Sequence, residues 1–93
     1  MMIKQIKIQV SGRVQGVGFR FFTYQQAKKL NLLGYVKNLD NGNVEIIALG
    51  ESKQIDSLVN WLNSGGPTSA KISNIKIIQM VPQNDLTSFN VRY

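Results

Sequence analysis

The tetrapeptide Asp40-Asn41-Gly42-Asn43 limits how this chain can fold more than any other stretch. Asn-Gly between two apolar runs is the strongest short-range hairpin signal, because both residues accept the positive φ that a tight turn requires. Residues 35–39 and 44–49 on either side of it therefore become antiparallel neighbours. Residues 3–11 alternate, with Ile6, Ile8 and Val10 on one face and Lys7, Gln9 and Ser11 on the other, as in a half-buried strand. Residues 20–31 read as a helix with Phe22, Ala27 and Leu30 turned inward, and Phe19 and Phe22 are expected to anchor its start against the core. Residues 53–64 form the clearest helix. Ile55, Leu58, Val59 and Leu62 make one apolar stripe, Trp61 lies at its edge, Ser52 is a candidate cap, and Gly65-Gly66-Pro67 stops it.

An isoleucine-rich strand over residues 72–81, a loop from Pro82 to Leu86 and a short alternating strand over residues 88–93 complete the chain. The order β-α-β-β-α-β, plus a short terminal β, predicts an α+β, ferredoxin-like split β-α-β sandwich. Two helices are expected on one face of an antiparallel sheet, within a single domain over residues 1–93.

Composition removes most catalytic chemistries. There is no histidine and no cysteine, so imidazole acid–base catalysis, thiol nucleophiles, disulfides and His/Cys metal sites are excluded. The carboxylates Asp40, Glu45, Glu51, Asp56 and Asp85 form no close cluster of the kind a dedicated Mg²⁺ site needs. An enzyme built from this inventory must work with Arg, Lys, Asn, hydroxyls and backbone N–H groups. The net charge of +6 suits either attraction of small anions or contact with nucleic acid, and its lysines are scattered rather than clustered. No apolar run approaches the ~20 residues of a membrane span, and the first residues carry no signal-peptide pattern. A cytoplasmic location is expected.

Between the first strand and first helix lies Val10-Ser11-Gly12-Arg13-Val14-Gln15-Gly16-Val17-Gly18-Phe19-Arg20. Glycines at a helix start admit a ligand close to unpaired backbone N–H groups, and Arg20 adds an always-charged planar fork suited to phosphate oxygens. Two familiar phosphate cradles are ruled out. Gly12 and Gly16 are one residue too close for the P-loop, and Phe21 stands where the dinucleotide pattern needs its third glycine. Asn38 is the second singular residue, an amide in a strand-forming run. It is either an exposed strand-end residue or a group able to hold a water molecule.

At these residues the chain resembles the acylphosphatase family. The run from Ser11 to Arg20 is similar to that family's first signature, and Gly34-Tyr35-Val36-Lys37-Asn38 with Asn41-Gly42-Asn43-Val44-Glu45 is similar to its second. Trp61-Leu62, Gly66-Pro67, Ala70 and Phe89-Asn90-Val91-Arg92-Tyr93 extend the likeness over nearly the whole chain. Gly18 stands where many members carry an aromatic residue, and Asn41 where Asp usually precedes the hairpin glycine. The resemblance implies metal-independent hydrolysis of the carboxyl–phosphate bond of acyl phosphates, with no cofactor. It implies a phosphate site made by Arg20 and the N–H groups of Gln15, Gly16, Val17, Gly18, Phe19 and Arg20, with Asn38 orienting the attacking water. The implied partner is a small-molecule acyl phosphate, with no nucleic acid or membrane, and the chain is expected to be a monomer.

The alternatives are a non-catalytic anion- or RNA-binding module of the same topology, or an acylphosphatase-like domain of a larger assembly. An RNA-recognition sheet needs aromatic residues on its central strands, and residues 6–10 and 44–49 contain none.

Overall fold

The structure, a computed structural model, describes residues 2–93. Met1, the first residue of the expected domain, lies outside the described residues. The elements are β1 (Ile3–Arg13), α1 (Phe19–Lys29), β2 (Leu33–Asn38), β3 (Val44–Glu51), α2 (Ser52–Asn63), β4 (Lys71–Met80) and β5 (Phe89–Arg92). One five-stranded sheet has the order β4-β1-β3-β2-β5.

The first four strands pair antiparallel, β1 with β3 and β4, and β2 with β3. This is the expected ferredoxin-like arrangement. β5 adds a parallel pair at the outer edge of β2, matching Gly34 with Phe89 and Lys37 with Arg92, so the sheet is mixed. The strand after β4 thus returns at the opposite edge of the sheet. The segment between them crosses the sheet face away from the helices. Gln5 of β1 is fully buried beneath it, donating from Nε2 to Gln83 Oε1 at 2.8 Å and accepting from the Gln83 amide at 2.7 Å. A buried amide needs such partners, because leaving either end unbonded costs about 1–3 kcal/mol.

The core lies between the sheet and the two helices. Ile6, Ile8 and Val10 of β1 and Val44, Ile46 and Ala48 of β3 meet Ile55, Leu58 and Leu62 of α2. Fully burying each such aliphatic side chain contributes roughly 1.5–3 kcal/mol. Trp61 packs half-buried at the edge of this layer, as the periodicity implied. α2 begins one residue earlier than expected. Glu51 occupies the cap position without a side-chain cap bond, and Ser52 is the first helical residue, its amide bonded to the carbonyl of Met2 at 2.9 Å. The residue preceding β1 therefore satisfies the first amide of α2, and the Ser52 hydroxyl forms no cap.

α1 also differs from its sequence reading. Its inward side chains are Phe19, Thr23 and Ala27, a repeat of four residues counted from the first helical position. Phe22 falls one position off that line and is 40% exposed. Among the described residues no helix is long and apolar enough to cross a membrane.

The hairpin forms where Asn41-Gly42 predicts it. The Leu39 amide bonds the Asn43 carbonyl at 2.8 Å, and Asn41 Oδ1 accepts from the Asn43 amide at 3.0 Å. Gly42 takes φ +91°, a value that an L side chain adopts only with strain. The turn lies just beyond Asn38, the last residue of β2.

Candidate active site

The site is built at one end of the sheet, where β1 hands the chain to α1 and β2 runs out beside β5. Residues 14–18 form the connection. Gly16 has φ +75° and Gly18 has φ +79°, and Gly18 is the cap residue of α1. Two left-handed residues separated by one other curl the backbone into a concave turn whose N–H groups can converge on an anion. A Cβ at Gly16 would meet nothing, so conformation rather than space calls for glycine there. At Gly18 a Cβ would only touch the Phe22 ring, 3.4 Å away, so there too the positive φ is what calls for glycine.

The start of α1 is electrostatically open. No side chain caps it and no acidic residue lies in its first turn, while Lys28 and Lys29 occupy the last turn. The first intrahelical bond runs from the Phe22 amide to the Gly18 carbonyl at 3.1 Å. The amides before it have no helical partner, and the positive end of the helix dipole adds to them.

A cavity of about 220 Å³ opens at this point. Gly16, Gly18, Phe19 and Arg20 line it, and Asn38 reaches it from the end of β2. The structure thus brings together five of the residues singled out from the sequence. Gln15 and Val17 do not line the cavity. The Gln15 side chain turns toward the hairpin and donates from Nε2 to the carbonyls of Leu39 and Asn43, both at 2.8 Å. It ties the loop to the turn that follows Asn38. Val17 packs against the core, and its carbonyl accepts from Ser69 Oγ at 2.7 Å.

Arg20 is held from the far side. Its Nη1 donates to the carbonyl of Arg92 at 3.0 Å, and its guanidinium carbon lies 4.5 Å from the centre of the Tyr93 ring. Stacking on an aromatic face suits the flat, weakly hydrated guanidinium and leaves its other N–H donors available. Arg20 forms no ion pair among the described residues. Asn38 is the complementary case. Its Oδ1 is buried and has no hydrogen-bond partner among the described residues. Buried side-chain oxygens are nearly always bonded, so this one marks a position built to accept a donor.

Val14, Phe21, Val91 and Tyr93 also line the cavity. None was singled out for the site from the sequence. The alternation of Phe89, Val91 and Tyr93 was a usable signal for which side chains share a face of the last strand. Local pattern carried no information on which edge of the sheet that strand joins.

On the opposite face of the sheet, Tyr35 donates to Glu45 Oε2 at 2.8 Å, Arg92 stacks 3.9 Å from the Tyr35 ring centre, and Lys7 lies 3.7 Å from Glu45. Burial first, and the bond to Glu45 second, push the Tyr35 hydroxyl from 10.0 up to about 12, against the opposing pull of Arg92. Tyr35 therefore stays a donor through the neutral range. Arg92 joins this cluster to the site, since its side chain lies over Tyr35 while its carbonyl receives Arg20.

The sequence profile of the acylphosphatase family matches residues 6–91. This chain belongs to the acylphosphatase family. Among solved structures it is similar to the acylphosphatase from Bacillus subtilis, at 39% identity and TM-score 0.89, over 99% of this chain and 100% of that one. It is similar to an acylphosphatase from Coxiella burnetii at 42% identity and TM-score 0.90, over 97% of this chain and 93% of that one. It is also similar to one segment of HypF from T. kodakarensis, at 37% identity and TM-score 0.84, over 97% of this chain and 12% of HypF. As an acylphosphatase the chain is an enzyme acting on acyl phosphates. Its fold is the α+β arrangement of that family, including the added strand β5.

Proposed function

We propose that the chain hydrolyses the carboxyl–phosphate bond with Arg20 and the loop N–H groups holding the phosphoryl oxygens and Asn38 aiming the attacking water. The observation that carries this reading is that Asn38, whose Oδ1 has no hydrogen-bond partner among the described residues, lines the same cavity as Gly16, Gly18 and Arg20. A carboxamide oxygen accepts a hydrogen bond from water and leaves a lone pair of that water free for phosphorus. The reaction places water oxygen on phosphorus, breaks the bond from phosphorus to the acyl oxygen, and yields a carboxylate and inorganic phosphate. The water proton passes to a phosphoryl oxygen or to the departing carboxylate.

Such a site needs no strong acid or base. The leaving group is a carboxylate, whose conjugate acid has a pKa of about 4 in ordinary side chains, so it departs without protonation. Phosphoryl transfer is then mainly positioning and stabilisation of charge on the equatorial oxygens. Arg20 and the open start of α1 supply the second, and Asn38 supplies the first. Gln15 contributes by bracing the loop against the Asn38 hairpin, in addition to any role of its amide. Every group given a role comes from one chain, so a monomer suffices, with the acyl phosphate as its only partner and no metal or cofactor. The location consistent with this small-molecule role is the cytoplasm.

The test compares benzoyl phosphate with p-nitrophenyl phosphate in EDTA for the wild type, Arg20→Ala and Asn38→Ala. The wild type should turn over only the acyl phosphate. Arg20→Ala should lose affinity and rate together. Asn38→Ala should lose about 10²–10³ in kcat, the usual loss for one such hydrogen-bonding group, with KM nearly kept. Full activity in either variant, or equal turnover of the two substrates, would contradict the assignment.

A further inference from the structure

The cavity lining is of two chemical kinds. Gly16, Gly18, Arg20 and Asn38 supply backbone and side-chain polar groups. The remainder is Val14, Phe19, Phe21, Val91 and Tyr93, all apolar or aromatic. Val14 and Phe19 are buried and belong to the floor. Phe21 and Tyr93 are different, because 55% and all of their respective surfaces are exposed, and they reach the cavity from α1 and from the end of β5. Single exposed apolar residues are ordinary. Two aromatic rings from distant parts of the chain flanking one small cavity, with half-buried Val91 also on its lining, make a wall.

Phe21 is also held in place. Its ring meets that of Phe22 edge-to-face at 5.6 Å, an arrangement that aromatic pairs favour. Phe22, turned outward by the phase of α1, is thereby in contact with the Phe21 ring. Among the lining side chains Arg20 carries the only charge. A charged or hydroxyl-rich acyl group would find few partners on this wall, whereas an apolar one removes surface from water on both itself and the wall.

Resting on the reading that Arg20 and the loop hold the phosphoryl group, we propose that Phe21, with Val91 and Tyr93, forms an acyl-binding subsite selecting acyl phosphates with apolar acyl groups, aromatic or branched aliphatic. Phe21 is the specificity-determining residue of this subsite, and Tyr93 serves both kinds of lining by stacking on Arg20.

The experiment measures kcat/KM for benzoyl, acetyl and succinyl phosphate with the wild type, Phe21→Ala and Phe21→Leu. The wild type should prefer benzoyl phosphate to both others. Phe21→Ala should reduce the benzoyl-to-acetyl preference about tenfold, the low end of what one missing apolar contact costs in discrimination, with the change in KM. Phe21→Leu should restore most of it. An equal loss on benzoyl and acetyl phosphate, an unchanged ratio, or a wild-type preference for succinyl phosphate would overturn the subsite. Competitive inhibition by inorganic phosphate separates this from the underlying reading. If Arg20→Ala leaves that inhibition constant unchanged, the phosphoryl assignment fails, whatever the acyl preference.

Discussion

The two helices lie on the same face of the sheet and are nearly equal in length, yet they do opposite jobs. α2 turns Ile55, Leu58 and Leu62 into the core and presents polar residues to solvent. α1 buries only Phe19, Thr23 and Ala27, and leaves Phe21 and Phe22 at the surface. By amphipathicity alone α1 looks the poorer helix. Its first turn, however, supplies Gly18, Phe19, Arg20 and Phe21 to the cavity, whereas α2 supplies nothing to it. On the proposed reading, a helix start that holds a phosphoryl group cannot carry an acidic cap, and beyond Phe19 its first turn packs little into the core. Weak pattern in α1 and strong pattern in α2 therefore record the division between chemistry and stability.

That division can be tested first where the effect should be largest. Leu58→Ala in α2 removes a fully buried side chain and should cost about 2–5 kcal/mol in urea unfolding. At a temperature where it remains folded, its kcat/KM should match the wild type. Arg20→Ala in α1 should do the reverse, with stability changed by no more than about 0.5 kcal/mol. A large activity loss in Leu58→Ala folded to completion would erase the contrast.

Gln15→Ala should fall between the two. It removes two bonds that tie the loop to the hairpin, which should cost about 1–3 kcal/mol and lower kcat severalfold by loosening Asn38. A stability loss with unchanged kcat would place Gln15 with the scaffold only.

The smallest effect concerns the far face of the sheet. The raised Tyr35 value means the fold favours the protonated phenol. Its contribution to stability is complete below the ordinary value of 10.0 and is lost as pH rises through about 12. Tyr35→Phe should therefore show a shallower fall in urea midpoint between these pH values than the wild type. Parallel curves would remove Tyr35 from the alkaline response.

How far the sequence could be read follows the same line. The hairpin and α2 were legible because their signals are local: a turn dipeptide, and a stripe at helical spacing. Gly16, Gly18 and Arg20, which share one cavity, were conspicuous for the same reason. Phe22 was misplaced because the inward face of α1 is set by where the helix begins, and Gly18 starts it at Phe19. Ser52 was misplaced by one position: the helix starts at it, with its amide bonded to the Met2 carbonyl, a contact distant in sequence. The wall of Val91 and Tyr93 was invisible because it depends on a parallel pairing between segments far apart in sequence. Asn38 stood between these cases. Its residue type was conspicuous, but only the three-dimensional structure leaves its oxygen buried and unbonded.

β5 is a short edge strand bonded to β2 alone, yet it holds Arg20 through the Arg92 carbonyl and builds one side of the cavity. Such an edge strand can open while the central strands stay paired, at the cost of exposing Phe89. A transient departure of β5 would release Arg20, dismantle the acyl wall and bare the outer edge of β2 to pairing with another chain. Competence is therefore more fragile than the fold. Under mild denaturant, turnover should fade and self-association begin while the helical signal of α1 and α2 is still intact.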